Sequence, residues 1–208
     1  MSKKNKPVDK TRYPLIYRLV RPLAFIFRGM FRPRIIGKEN IPKKGRVVLA
    51  GNHMFVTDPL LLGVCTWRCI HFLGKIGIFK YKFTNWLFTN IGVIPVHRNG
   101  KDHSALATAE EYLEAEQVIG IFPEGTIIKP KGVELLPFKF GAVKMAKDTG
   151  APIVPFTING SYIPFNGRLE IIFQEPYYIT GDDLEEENNK LRERVQSNLK
   201  LHTGKYPF

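Results

Sequence analysis

Two hydrophobic periods alternate along this chain. Short apolar, β-branched runs at 46–51, 69–73, 93–97, 118–122, 152–158 and 168–173 read as strands bounded by turn residues. Between them, apolar residues spaced three and four apart at 58–65, 78–91, 102–117, 138–148 and 182–201 read as helices, with Asp102 and either Asp182 or Asp183 placed to cap. Strands alternating with helices predict an α/β fold: a mixed, partly parallel sheet flanked by helices. No internal repeat or low-complexity tract breaks the alternation. The last helical stretch, GDDLEEENNKLRERVQ, reads as solvated, its early acids suiting the helix dipole.

Residues 13–32, YPLIYRLVRPLAFIFRGMFR, follow a third pattern. On a helical wheel Arg18, Arg21, Arg28 and Arg32 fall within about 80° of one another, and Leu19, Val20, Leu23, Ile26, Phe27, Met30 and Phe31 fill the opposite side. This is a basic amphipathic pattern, and Pro22 predicts two short helices meeting near Arg21. No apolar run approaches the roughly 20 residues that cross a bilayer, so the segment is expected to lie on a membrane and not to span it. The expected organisation is a membrane-anchoring segment at 1–40 followed by one α/β domain at 41–208. Arg18, Arg21, Arg28 and Arg32 would meet anionic head groups, and Phe27 and Phe31 would lie among acyl chains. The same apolar stripe could instead pack on the domain core, leaving the arginines merely solvated.

Charge sharpens this picture. The 208 residues carry 31 Lys and Arg against 19 Asp and Glu, a net charge of +12. Residues 1–46 hold 14 of the basic and 2 of the acidic side chains, and the remainder holds 17 of each, so the surplus belongs to the N-terminal segment. An anionic membrane surface is therefore the expected partner. A nucleic acid is not, because phosphate binding needs no greasy opposite face. Arginines interrupting the apolar part argue against a signal peptide. A composition of 44% hydrophobic and 24% charged residues excludes a disordered or collagen-like chain. Cys65 and Cys69 are too few for a disulfide framework and lack the second ligand pair of a zinc site, which reads as reduced thiols in a cytosolic chain.

In a parallel α/β sheet, ligands gather beyond the carboxyl ends of strands. Three strand ends carry candidate chemistry: Asn52-His53-Met54-Phe55-Val56-Thr57-Asp58, then His97-Arg98-Asn99-Gly100, then Pro123-Glu124-Gly125-Thr126. A fourth strand carries Pro152 and Pro155. His53 and Asp58 stand five apart across a loop, which lets the carboxylate fold back and fix the imidazole tautomer, so that His53 can act as a general base on a hydroxyl. His97 and Asp102 repeat the spacing, but Asp102 reads as a helix cap and that pair as accidental. Arg98 suits an anionic head group, because guanidinium pairs bidentately with phosphate. Glu124, Gly125 and Thr126 combine a carboxylate, a glycine admitting close backbone approach, and a hydroxyl. His71 reads as core; His103 and His202 read as solvent-facing. Trp67, Phe72, Phe79, Phe83, Trp86 and Phe88 read as core, with an acyl-chain tunnel as the alternative. No metal is expected, since nothing converges on His53 and Asp58 as further ligands.

Taken in order, NHMFVTD, GVIPVHR, FPEGT and APIVPFTI resemble the four sequence blocks of the glycerolipid acyltransferases, specifically the bacterial 1-acylglycerol-3-phosphate acyltransferases. The blocks span about half the chain. The resemblance implies a mixed α/β domain held on the membrane, at its cytoplasmic face, by an N-terminal helical element. It implies phospholipid synthesis: an acyl chain passes from a thioester to the 2-hydroxyl of a lysophospholipid, lysophosphatidic acid giving phosphatidic acid. His53 would be the base and Asp58 its orienter. Arg98 would bind the acceptor phosphate, with Glu124, Gly125 and Thr126 shaping the acceptor site. No cofactor is implied; acyl-CoA or acyl-acyl carrier protein would be the co-substrate. One departure is evident. The third block of this family usually continues Arg-Ser, where this chain has Ile127 and Ile128. Lys129 and Lys131 would then supply the missing charge, or the acceptor carries another head group. The contrasting expectation is a lipid-binding protein of the same fold without turnover.

Overall fold

The computed structural model describes residues 15–97, 104–129, 133–165 and 168–199. Seven strands form one sheet: β1 (Arg34–Ile36), β2 (Val47–Gly51), β3 (Ile70–Lys75), β4 (Ile94–Val96), β5 (Val118–Ile121), β6 (Ile153–Asn159) and β7 (Glu170–Phe173), in the order β1-β7-β6-β2-β5-β3-β4. The five from β6 to β4 run parallel. The antiparallel pairing of β6 with β7 reverses the last two, since β1 runs parallel to β7. The predicted α/β class, with a mixed and mostly parallel sheet, is therefore the observed one. All six predicted strands are present. The strand that the pattern did not give, β1, has only three residues, too short for a periodicity.

Among the described residues six α-helices cover the two faces: α1 (Leu15–Phe31), α2 (Asp58–Gly63), α3 (Lys82–Asn90), α4 (Ser104–Glu114), α5 (Gly141–Thr149) and α6 (Leu184–Ser197). Every residue of β2 and β6 is buried, as the near-continuous apolar runs of a two-sided parallel sheet require. On one face Val48, Ile119 and Ile153 pack with Leu113 of α4, Met145 of α5 and Leu191 of α6. On the other, Leu49, Val118, Val154 and Phe156 pack with Phe27 of α1 and Leu61 and Leu62 of α2. His71 lies in β3, buried, its Nδ1 2.9 Å from the Gly92 carbonyl and its ring stacked on Tyr112 of α4, the core role that its strand position suggested. Asp183 caps α6, accepting from the backbone N–H of Glu185 at 2.8 Å and of Glu186 at 3.3 Å. Asp102 and His103 lie outside the described residues.

The N-terminal helix departs from expectation in two ways. It is one helix through Pro22, not two. Pro22 lies exposed, and the helix is tied down on both sides of it. Tyr17 and Arg21 donate to the carbonyls of Arg68 and Trp67, while Phe27 meets Tyr162 at a tilt and Phe31 edge-on. The second departure concerns which side faces the domain. Phe27 is 4% exposed and Phe31 half-buried, so Phe27 belongs to the core and not among acyl chains. Arg21 lies 3.8 Å over the Trp67 ring rather than reaching outward. Leu19, Leu23, Phe25 and Ile26 are the exposed apolar residues, flanked by the exposed Arg18 and Arg28, with Arg32 exposed just beyond the helix end. The side of α1 that packs centres on Ala24 and Phe27 and is rotated away from the centre of the wheel's apolar set. No helix among the described residues is long and apolar enough to cross a membrane.

Candidate active site

The loop that leaves β2 carries the His53–Asp58 pair, and local hydrogen bonding shapes it. Gly51 ends β2 so close to β6 that a Cβ would stand 2.2 Å from the Phe156 carbonyl oxygen, which only glycine allows. Asn52, buried, then clamps the loop to β6: its Nδ2 donates to the Ile158 carbonyl at 2.9 Å and its Oδ1 accepts from the Ile158 N–H at 2.7 Å. His53 is thereby fixed at the carboxyl edge of the sheet, between the ends of β5 and β6.

Asp58, fully buried at the start of α2, folds back onto the loop. Its Oδ2 lies 2.6 Å from His53 Nδ1 and accepts from the N–H groups of Met54 at 2.7 Å and Phe55 at 3.0 Å. Its Oδ1 accepts from the Tyr162 hydroxyl. Four donors on one buried carboxylate hold it in place, as a desolvated charge requires. Burial, and then the Asp58 charge, raise the Tyr162 hydroxyl above its ordinary value, so it remains a donor. With Nδ1 facing Asp58, His53 keeps Nε2 for an incoming group, and its side chain retains 17% exposure. The imidazole lies flat on Phe122, with centroids 4.0 Å apart and planes 12° apart.

Glu124 joins the two strand ends. It is buried, its Oε1 accepting from the His53 N–H at 2.8 Å and its Oε2 from the Leu136 N–H at 2.8 Å. Lys129 Nζ stands 2.8 Å from the same Oε2 and donates to the Glu134 carbonyl at 2.8 Å. Gly125 adopts φ +69°, the left-handed region where a side chain is strained. The Thr126 hydroxyl accepts from the Ile128 N–H at 3.0 Å and so closes a local turn.

The structure thus brings together His53, Asp58, Glu124, Gly125 and Thr126. Lys129 does not stand free for a head group, because an unpaired carboxylate at Glu124 would cost more than an exposed ion pair returns and the nearby ammonium is drawn to it. Arg98 and Lys131 lie outside the described residues. Tyr162 escaped the sequence reading, although the signal existed: it sits three residues beyond β6, another carboxyl strand end. The aromatic run divides. Trp67, Phe83 and Trp86 are 74%, 68% and 53% exposed, which contradicts a core role for them, whereas Phe72 packs against the core and stacks near Phe122. A cleft of about 760 Å³ between α1, Ile35 and Val64–Arg68 opens at the opposite end of α2 and contains neither His53 nor Asp58.

A histidine oriented by a buried carboxylate, open at Nε2 and seated at the carboxyl edge of a parallel sheet, is equipped to take a proton from a hydroxyl. Residues 32–159 match the acyltransferase family, well over half of the chain, and the protein belongs to that family. The chain is 37% identical to the 1-acyl-sn-glycerol-3-phosphate acyltransferase of Borreliella burgdorferi over 146 residues, which is 66% of this chain and 57% of that protein. It is 30% identical to the enzyme of the same name from Bacillus subtilis, over 70% of this chain and 73% of the relative. Its fold matches the crystal structure of the 1-acyl-sn-glycerophosphate acyltransferase of Thermotoga maritima, with a TM-score of 0.69 at 24% identity, covering 93% of this chain and 82% of that one.

Proposed function

We propose that the protein transfers a fatty acyl chain from a thioester to the 2-hydroxyl of lysophosphatidic acid, at a membrane surface and by direct attack. The observation that carries this is the His53 imidazole, held at Nδ1 by buried Asp58 with Nε2 open. His53 Nε2 takes the hydroxyl proton as the acceptor oxygen bonds to the thioester carbonyl carbon. The C–S bond then breaks, and the departing thiolate recovers the proton from the imidazolium. A thiol is far more acidic than an alcohol, so sulfur leaves in preference to the attacking oxygen. Asp58 stabilises the imidazolium without taking its proton. Glu124 fixes the His53 backbone and thus the height of the ring above Phe122.

The relatives named as 1-acyl-sn-glycerol-3-phosphate acyltransferases support lysophosphatidic acid as the acceptor. Coenzyme A and acyl carrier protein are both thioester carriers that suit the donor role. The membrane contact in this reading is the outward stripe of α1, Leu19, Leu23, Phe25 and Ile26, continued by Trp67 and by Tyr81, Phe83 and Trp86 near α3, which lies alongside α1. Arg18, Arg28 and Arg32 flank it for anionic head groups.

The test is a lysolipid panel on vesicles, with acyl thioesters on both carriers and acceptors bearing phosphate, phosphocholine, phosphoethanolamine or phosphoglycerol heads. Lysophosphatidic acid should be the best acceptor, and His53→Ala should lower its rate by ~10²-fold or more while the circular dichroism is unchanged. Full activity in a folded His53→Ala protein overturns the base assignment. A different preferred acceptor overturns the head-group assignment, and no product from any acceptor overturns turnover itself.

A further inference from the structure

The acceptor in the reading above carries a phosphate, and the cations nearest the Phe-Pro-Glu-Gly-Thr motif are not equivalent. Ile127 and Ile128, 41% and 81% exposed, offer no charge. Lys129 is engaged with Glu124 and the Glu134 carbonyl, and its side chain is only 15% exposed. The charges of Glu124 and Lys129 cancel at short range, which leaves the motif without a net cation of its own.

Lys139 supplies one. Its backbone N–H donates to the Pro123 carbonyl at 3.0 Å, which pins the residue beside the motif although it lies fourteen positions after Gly125 in sequence. Its side chain then crosses directly over Gly125. A Cβ placed there would stand 3.0 Å from Lys139 Nζ, 3.2 Å from Cε and 3.6 Å from Cδ. The positive φ is what requires glycine at 125, and the absent Cβ leaves the lysine room to lie across it. Lys139 is exposed, and among the described residues its ammonium has no ion-pair partner. A compact cation with three free donors, held against backbone and next to the loop that fixes His53, suits a phosphate monoester.

We propose that Lys139 binds the phosphate of the acceptor, taking the place of the arginine that Ile127 replaces in the third block. This rests on the proposed transfer to a phosphate-bearing lysolipid. It makes Lys139 a substrate-binding residue and Lys129 a positioning residue for Glu124.

Two measurements on the full chain test it, each with wild-type protein, Lys139→Gln and Lys139→Arg. The first is calorimetric titration with glycerol 3-phosphate and, separately, with inorganic phosphate. The second is steady-state acyl transfer on vesicles to lysophosphatidic acid and to the monoacylglycerol of the same chain, which lacks the phosphate. Lys139→Gln should weaken glycerol 3-phosphate about five- to tenfold and raise the KM for lysophosphatidic acid by a similar factor, with kcat within about twofold. Transfer to monoacylglycerol should be unaffected, and Lys139→Arg should restore most of the loss. Unchanged affinity and KM in Lys139→Gln overturn the proposal while leaving the acyltransferase reading intact. Loss of phosphate binding in a protein that acylates no acceptor supports Lys139 and removes that reading instead. Tighter binding of glycerol 3-phosphate than of inorganic phosphate supports the head group as the ligand; the reverse order overturns that assignment.

Discussion

Helices α1 and α6 both pack one stripe on the sheet, and their outward sides differ completely. α6 buries Leu191 and Val195 and turns Glu185, Glu186, Lys190, Glu193 and Arg194 outward. α1 buries Ala24 and Phe27 and turns Leu19, Leu23, Phe25 and Ile26 outward, with arginines only at the margins. A helix on a water-facing surface is polar on its free side, as α6 is. α1 has apolar residues on both sides, and the outward set is the one that the proposed membrane contact would cover. The same contrast holds for the faces of the sheet that the two helices cover. The α4–α5–α6 face is closed in the ordinary way, and the α1–α2–α3 side exposes Phe25, Trp67, Tyr81, Phe83 and Trp86.

Neighbouring residues on α1 allow that comparison to be broken. Phe27→Ala should lower unfolding free energy by about 3–5 kcal/mol, as a large-to-small change in a core does, measured by urea titration. The protein that remains folded should partition onto vesicles as before. A loss of partition without loss of stability would reverse the assignment of the two sides. The pair Leu23→Asp and Ile26→Asp should do the opposite, cutting partition onto anionic vesicles by at least about a hundredfold, since each buried aliphatic side chain contributes roughly 1.5–3 kcal/mol. Its urea midpoint should hold. Charge removal on α6, Glu185→Ser with Glu193→Ser, should leave partition unchanged; a marked rise, as two fewer negative charges give on anionic vesicles when bulk electrostatics drives binding, would overturn the stripe as the determinant.

A pH-dependent effect is expected on the closed face. Burial lowers the pKa of His71 below the ordinary imidazole value of 6.5, partly offset by its bond to the Gly92 carbonyl. The unfolded chain therefore binds a proton at a pH where the folded chain does not. Stability is unaffected above about pH 6.5 and falls as pH drops below it, by up to ~1.4 kcal/mol per pH unit. Urea titrations at pH 7.5 and 5.5 should show this slope, and His71→Asn should reduce it. An unchanged slope in the variant would assign the acid sensitivity to other groups.

The site was legible in proportion to how local its contacts are. His53 and Asp58 lie within one loop, so their spacing foretold a contact now seen at 2.6 Å. Glu124 was visible as the residue after a strand, but its bond to the His53 N–H joins positions 71 apart. Tyr162 reaches Asp58 across 104 residues, and no spacing encodes that. The ion pair of Lys129 with the buried Glu124 was not legible either, because only the closed fold brings the lysine to that carboxylate.

By itself the sequence determined the alternation of strands and helices, the concentration of positive charge before residue 47, and the residues at the carboxyl ends of the strands. Those follow from local periodicity and from the order of elements, which a linear chain carries. Tertiary structure alone decided which apolar residues of α1 meet the core, which lysine neutralises Glu124, and which lies free over Gly125. Periodicity marks a side chain as apolar without saying which apolar phase it enters. The partner of a charge is set by burial and approach, which exist only once the chain has closed on itself.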